Sequence, residues 1–177
     1  MKQVYLLTGK PGTGKTSLIK QALAETAVKA GGFYTEEIRS QGVRQGFRLV
    51  TLDGKSTILA HINVQSPYRV SKYGVDSDAL NRVGVCALQK AAQQCELVVI
   101  DEIGKMELFS VNFRESVLQI IESGQKLLGT IMLSSNIWAD AIKRRHQVEL
   151  IQVTKANYQQ VLVGLLNWLK ELSGNKT

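Results

Sequence analysis

An α/β fold of three layers, with helices on both sides of a mainly parallel sheet, is predicted by three features of the sequence. Two apolar runs of strand length, Val4 to Leu7 and Leu97 to Ile100, each give way at once to polar residues. A glycine-rich segment follows the first run and leads into a stretch with helical periodicity. The remainder alternates strand-like and helix-like segments to the C-terminal end, which is the pattern of a layered α/β domain.

Taken in order, Val4 to Leu7 reads as a buried parallel strand. Thr16 to Lys29 reads as a helix with Leu18, Ile19, Ala22, Leu23, Ala27 and Val28 on one stripe, ended by Gly31-Gly32. Phe33 to Ile38, Gly46 to Leu52 and Ser56 to Ile62 favour strands, and Asp53-Gly54 reads as a two-residue turn, so an antiparallel hairpin appended to the main sheet is expected. Asp78 to Gln94 reads as a helix capped by Asp78, and Ser110 to Glu122 as another that starts at Ser110. Leu127 to Leu133 is a strand, Ile137 to Arg145 a helix and Val148 to Val153 a strand. Lys155 to Leu172 is a helix with Val161, Leu162, Leu165, Leu166 and Leu169 on one face.

With 177 residues and 44% hydrophobic content, the chain is expected to form a single domain over residues 1–177. An excess of 22 Lys and Arg over 15 Asp and Glu gives a net charge of +7, which favours a polyanionic ligand, nucleotide or nucleic acid alike. Cys86 and Cys95 are too far apart for a redox pair and lack a Cys/His cluster for zinc, so two reduced, partly buried thiols are expected. The run from Met1 to Leu7 is too short for a secretion signal or a membrane span, so a cytoplasmic protein without membrane contact is expected. The sequence does not fix the oligomeric state, and a monomer is favoured over an oligomer.

Gly9 to Thr16 reads GKPGTGKT and fits G-x-x-x-x-G-K-[ST], between a predicted strand and a predicted helix. The glycines let the backbone curl closely around phosphate, so that the amides near Gly12, Thr13, Gly14 and Lys15 form an anion nest, with Lys10 and Pro11 completing the loop. The helix adds its positive end, Lys15 a charged donor for the β- and γ-phosphates, Thr16 a hydroxyl for Mg²⁺ and Ser17 a contact to the α-phosphate. The fold class is therefore an α/β P-loop NTPase three-layer sandwich.

Asp101 and Glu102 follow LVVI at the carboxyl end of a strand, where open α/β sheets bind their ligands. Asp101 is assigned to the magnesium ion and Glu102 to the catalytic base that takes a proton from the attacking water. Lys105 is a candidate for stabilising charge on the γ-phosphate, with a surface ion pair to Glu107 or another neighbour as the alternative. His61 and His146 stand alone and read as surface or packed residues; Trp138 and Trp168 read as core.

GKPGTGKT, GFYTEEIR at Gly32 to Arg39, GFRLVTLDG at Gly46 to Gly54, SKYGVD at Ser71 to Asp76, DEIGKMEL at Asp101 to Leu108, and VT with Asn157 together resemble a known family. It is that of the small P-loop nucleoside-triphosphatases, which includes human cancer-related nucleoside-triphosphatase and archaeal and thermophilic bacterial enzymes. The resemblance implies a RecA-like sheet and Mg²⁺-dependent hydrolysis of ATP, GTP and other nucleoside triphosphates to diphosphate and phosphate. Arg39, Lys72 and Tyr73 lie in its segments as candidate γ-phosphate or lid residues, with ion pairs to Glu36 or Glu37 as the alternative for Arg39 and simple packing as that for Tyr73, and Thr154 and Asn157 are candidates for the base pocket. Where the family places an arginine after the asparagine, this chain has Tyr158.

Two other readings share these residues. A nucleotide or small-molecule kinase uses the same loop and metal but passes the phosphoryl group to a hydroxyl acceptor. A nucleic-acid-stimulated ATPase or regulatory module is suggested by the charge and by Lys143-Arg144-Arg145, although that run lacks interleaved aromatics; Arg144 or Arg145 is alternatively an arginine finger.

Overall fold

A computed structural model describes residues 2–174; Met1 lies outside the described residues. In chain order the elements are β1 (Val4–Thr8), α1 (Lys15–Ala24), β2 (Ala30–Ser40), β3 (Val43–Thr51), β4 (Ser56–His61), β5 (Arg69–Val70), β6 (Tyr73–Val75), α2 (Ser77–Ala79) and α3 (Cys86–Gln94), the last two joined by a π-helical turn over Leu80–Val85. Then come β7 (Leu97–Ile103), α4 (Val111–Glu122), β8 (Leu127–Ile131), α5 (Ile137–Lys143), β9 (Val148–Gln152) and α6 (Tyr158–Gly174).

All strands join one sheet in the order β5-β6-β4-β3-β2-β7-β8-β1-β9. The five strands from β2 to β9 are parallel, and β3, β4, β6 and β5 continue the sheet antiparallel. Successive residues of a central strand go to opposite sides, as a period of two requires. Val98 and Ile100 pack with Leu88, Phe113, Val117 and Ile142, whereas Leu97 and Val99 pack with Leu18, Ile19, Leu165 and Leu169. The sheet is thus sealed on one face by α3, α4 and α5 and on the other by α1 and α6, which is why Val4 to Leu7 and Leu97 to Ile100 read as unbroken apolar runs. On the second face Trp168 is buried and stacks on Tyr5 at 4.2 Å between ring centroids; Trp138 is half-buried.

Several boundaries differ from the sequence reading. Helix α1 stops at Ala24, where the Thr26 hydroxyl donates to Ala22 O at 3.0 Å and its amide to Leu23 O. Gly31-Gly32 does not end that helix but lies inside β2, where a side chain of α3 at Gly31 and the β7 backbone at Gly32 leave no room for a Cβ. A Cβ on Gly31 would come within 2.8 Å of the Ala91 Cβ, and one on Gly32, at φ +121°, within 2.0 Å of the Val99 carbonyl oxygen. The cap of the next helical stretch is Asp76 rather than Asp78, its carboxylate accepting from Ala79 N at 2.8 Å. Ser110 caps α4 as expected, accepting from Phe113 N. The link between β3 and β4 is longer than a two-residue turn, closed by Thr51 N donating to Lys55 O. Helix α5 ends at Lys143, not Arg145. Cys86 is exposed and Cys95 half-buried; both are free thiols.

Strand β2 carries the geometry toward function. It runs parallel to β7 only as far as Tyr34, which pairs with Asp101, and then continues past the carboxyl edge as the first arm of the β2–β3 hairpin. Thr35 to Ser40 and the returning β3 therefore overhang the edge where the parallel strands end.

Candidate active site

The loop after β1 meets α1 at Gly14, which sits in the left-handed region at φ 90° and leaves no space for a side chain, since a Cβ would lie 2.8 Å from the Tyr158 ring. No side chain caps α1, so its first-turn amides remain available to an anion, as phosphate binding at a helix N-terminus requires. Lys15 folds over the loop and donates from Nζ to Gly9 O and Lys10 O, each at 2.9 Å. Thr13 closes the other side with a hydroxyl bond to Lys10 O at 3.0 Å.

Strand β7 carries a bulge relative to β8 between Ile100 and Ile103, at Asp101 and Glu102. Asp101 is 3% exposed, yet both its oxygens are satisfied: Thr16 Oγ1 donates to Oδ2 at 2.5 Å and Thr130 Oγ1 to Oδ1 at 2.6 Å. Strand β8 lies between β7 and β1, so this short chain of hydroxyls ties the start of α1 to the ends of two strands. Burial pushes the Asp101 carboxyl above the usual aspartate range, against the opposing pull of the two hydroxyls and Lys15. Glu102 is raised as well, first by burial and then by the charge of Asp101. Its Oε1 rests against Gly104, where a Cβ would come within 2.4 Å of it.

Gly104 also donates its amide to Glu107 Oε2 at 3.1 Å. Glu107 is buried, so the surface ion pair with Lys105 does not form; the short 3-10 turn at Glu107–Phe109 rotates the glutamate inward while Lys105 stays exposed. Burial and the nearby charge of Glu102 push Glu107 up to about 8.

These residues line a cleft of about 790 Å³. Its floor is Gly9, Pro11, Gly12, Gly14, Lys15, Thr16 and Ser17. Asp101, Glu102, Lys105 and Glu107 form one wall, and Glu36, Glu37, Arg44 and Phe47 of the overhanging hairpin form the other. The structure thus brings together the loop, the two acids and Lys105. Asn157 stands beside the loop without lining the cleft: its side chain accepts from Thr154 N and donates to Gln152 O, each at 2.8 Å, which fixes the link from β9 to α6. Arg39 also lies off the cleft, held in the hairpin by Glu37 at 2.6 Å and by Gly42 O, and it lines a neighbouring depression with Lys72 and Tyr73. Arg144 and Arg145 are at the wrong edge of the sheet for a finger. Val148 pairs with Val4 at the start of parallel β1, whereas the phosphate loop follows its end, and Arg145 is bound to Glu122 at 3.0 Å.

Sequence reasoning missed Arg44 and Thr130. Thr130 left a usable signal, as a hydroxyl near the end of the fully buried run LLGTI. Arg44, an exposed residue of the hairpin, left none.

A glycine-rich anion loop at the N-terminus of a helix, joined to an aspartate at the end of a parallel strand that one intervening strand separates from it, defines a P-loop nucleoside-triphosphate-binding fold. The family model described as NTPase matches residues 4–166. "Nucleoside-triphosphatase THEP1" of Thermotoga sp. (strain RQ2) is 46% identical over 171 residues, covering 97% of this chain and 98% of that protein. Among solved structures, the crystal structure of THEP1 from the hyperthermophile Aquifex aeolicus superposes with a TM-score of 0.86 at 33% identity, covering 94% of this chain and 99% of the other. The solution structure of a human cancer-related nucleoside triphosphatase gives 0.81 at 35% identity, with 99% and 100% covered. The chain belongs to this NTPase family.

Proposed function

We propose that the chain hydrolyses ATP, GTP and other nucleoside triphosphates to the diphosphate and phosphate, with Mg²⁺, as one domain over residues 1–177. The observation that carries this reading is the hydrogen bond from Thr16 to Asp101, which sets the phosphate loop against the acidic strand end with Glu102 as the next residue. Activity named for the relatives supports it. The donors at Thr16 and Asp101 are all oxygen, as a hard divalent cation prefers, so these two residues would hold Mg²⁺. When bound, the ion neutralises charge on the β- and γ-phosphate oxygens.

The chain's own groups supply the rest. Amides of the loop and Lys15 hold the β- and γ-phosphates and fix the direction of displacement. Glu102, its carboxyl raised above the usual glutamate range by burial and by the charge of Asp101, takes a proton from a water whose oxygen bonds to the γ-phosphorus. The bond from that phosphorus to the bridging oxygen breaks, and its electron pair stays on the diphosphate. The two free thiols support a cytoplasmic setting for this chemistry.

The test is phosphate release from several nucleoside triphosphates without any acceptor, with and without Mg²⁺. Glu102→Gln is expected to retain ATP but turn over roughly a hundredfold more slowly. Absence of acceptor-free release in the wild type would defeat hydrolysis, and unchanged turnover in the variant would remove Glu102 from its role.

A further inference from the structure

We infer that Arg44 is the arginine that meets the terminal phosphoryl group of the bound nucleoside triphosphate, supplied by the antiparallel extension of the sheet and positioned by Glu37 and Tyr73. The assignment rests on the hydrolase reading above and names a further residue for the same site. Among the arginines considered from the sequence, Arg39 is tied into the hairpin and Arg144 and Arg145 lie at the opposite edge. Arg44 alone among these four lines the cleft.

Its position follows from strand order. Going from β1 across β8 to β7 and then β2 and β3 leads from the phosphate loop past Asp101 and Glu102 to the hairpin. A triphosphate seated on the loop amides and on Lys15 extends its terminal group toward Thr16 and Asp101, hence toward that hairpin. The Arg44 guanidinium is held there from several sides. Nε donates to Tyr73 Oη at 3.0 Å and Nη1 to Glu37 Oε1 at 3.0 Å, with the Phe47 ring centroid 5.1 Å away and that of Tyr73 5.7 Å away. Among the described residues, Nη2 has no protein partner. A planar cation with its rotamer fixed and a nitrogen left over suits the developing charge on a transferring phosphoryl group, since little ordering remains to be done at reaction. Arg44 and Lys105 on the facing wall are both exposed, and of the two only Arg44 is held by side-chain hydrogen bonds among the described residues. Glu37 is held below the usual glutamate range by hydrogen bonds from Arg44 and Arg39 and so keeps its charge to hold both. Arg44 makes and breaks no bond in the step; it offsets negative charge while the γ-phosphorus moves from the bridging oxygen to water.

In the full chain with MgATP, Arg44→Ala is expected to lower kcat at least about 100-fold. Its Kd for MgADP is expected to stay within about threefold of the wild-type value, and trapping of MgADP by aluminium fluoride, held by the wild type, is expected to be lost. Arg44→Lys is expected to recover no more than about a tenth of the wild-type kcat, because an ammonium lacks the planar fork. Tyr73→Phe removes only the hydroxyl on Nε and is expected to lower kcat about three- to tenfold with KM unchanged. Near-wild-type turnover or intact trapping in Arg44→Ala overturns the assignment, and so does a loss of MgADP affinity that matches the loss of kcat. Should Arg44→Ala fail to fold, Arg44→Lys and Tyr73→Phe decide by the same readouts. A wild-type protein that releases no phosphate defeats the hydrolase reading itself, whereas release that these variants leave untouched defeats only the role of Arg44.

Discussion

Replacing Glu107 with glutamine is expected to flatten the dependence of stability on pH. In the folded protein this carboxyl is enclosed, accepts one amide hydrogen bond from Gly104, and is pushed from the ordinary 4.5 up to about 8, first by burial and then by Glu102. The unfolded chain releases the proton near the ordinary value. Between these limits the native state therefore binds one proton more than the unfolded state, and stability falls as pH rises. At about 1.4 kcal/mol for each tenfold change in proton affinity, the full displacement is on the order of 5 kcal/mol, and relaxation of the site around the charge reduces it to a few. Glutamine keeps the acceptor for Gly104 and removes the ionisation. Urea unfolding of nucleotide-free, Mg²⁺-free protein between pH 5.5 and 8 reads the effect. The lowered carboxylates Glu37, Asp53 and Asp140 titrate below that window. Glu102, raised in the same direction, leaves a residual slope in the variant. A wild-type stability that is flat or rising over this range, or an equal slope in Glu107→Gln, refutes the reasoning.

Lys15→Ala is expected to leave the fold intact and to weaken nucleoside-triphosphate binding about 10- to 100-fold, the worth of a charge-assisted hydrogen bond, as measured by fluorescent-nucleotide titration. Thr130→Val keeps the volume but strips the donor from Asp101 Oδ1, and is expected to cost about 1–3 kcal/mol in urea unfolding together with a loss of Mg²⁺-dependent turnover. Gly32→Ala places a Cβ against the Val99 carbonyl and is expected to lose at least about 3 kcal/mol of stability; a melting temperature equal to the wild type would contradict the close approach of β2 and β7.

Much of the fold was legible because its signals are local. A strand segment buried on both faces has to be continuously apolar, and the stretches Val4 to Leu7 of β1 and Leu97 to Ile100 of β7 show it. The amphipathic stripe of α6 likewise placed Val161, Leu162, Leu165 and Leu169 on the buried side. The errors fell where a neighbour distant in sequence decides. Gly31-Gly32 looks like a helix stop, since glycine commonly ends helices, but here it answers to Ala91, Cys95 and Val99 across the sheet. Arg144 and Arg145 read as candidate fingers until the parallel pairing of β1 and β9 puts them at the edge away from the phosphate loop.

The sequence by itself determined the phosphate loop and the acids that answer it, because backbone curl, helix dipole and the end of a buried strand are properties of contiguous residues. Tertiary structure alone decided that Thr130 shares Asp101 with Thr16, that Glu107 turns inward, and that Arg44, not Arg39, reaches the cleft. Each of those outcomes depends on strand order, on one bulge and on the overhang of a hairpin, and such long-range geometry arises from how the whole sheet packs rather than from the residues on either side of the group concerned.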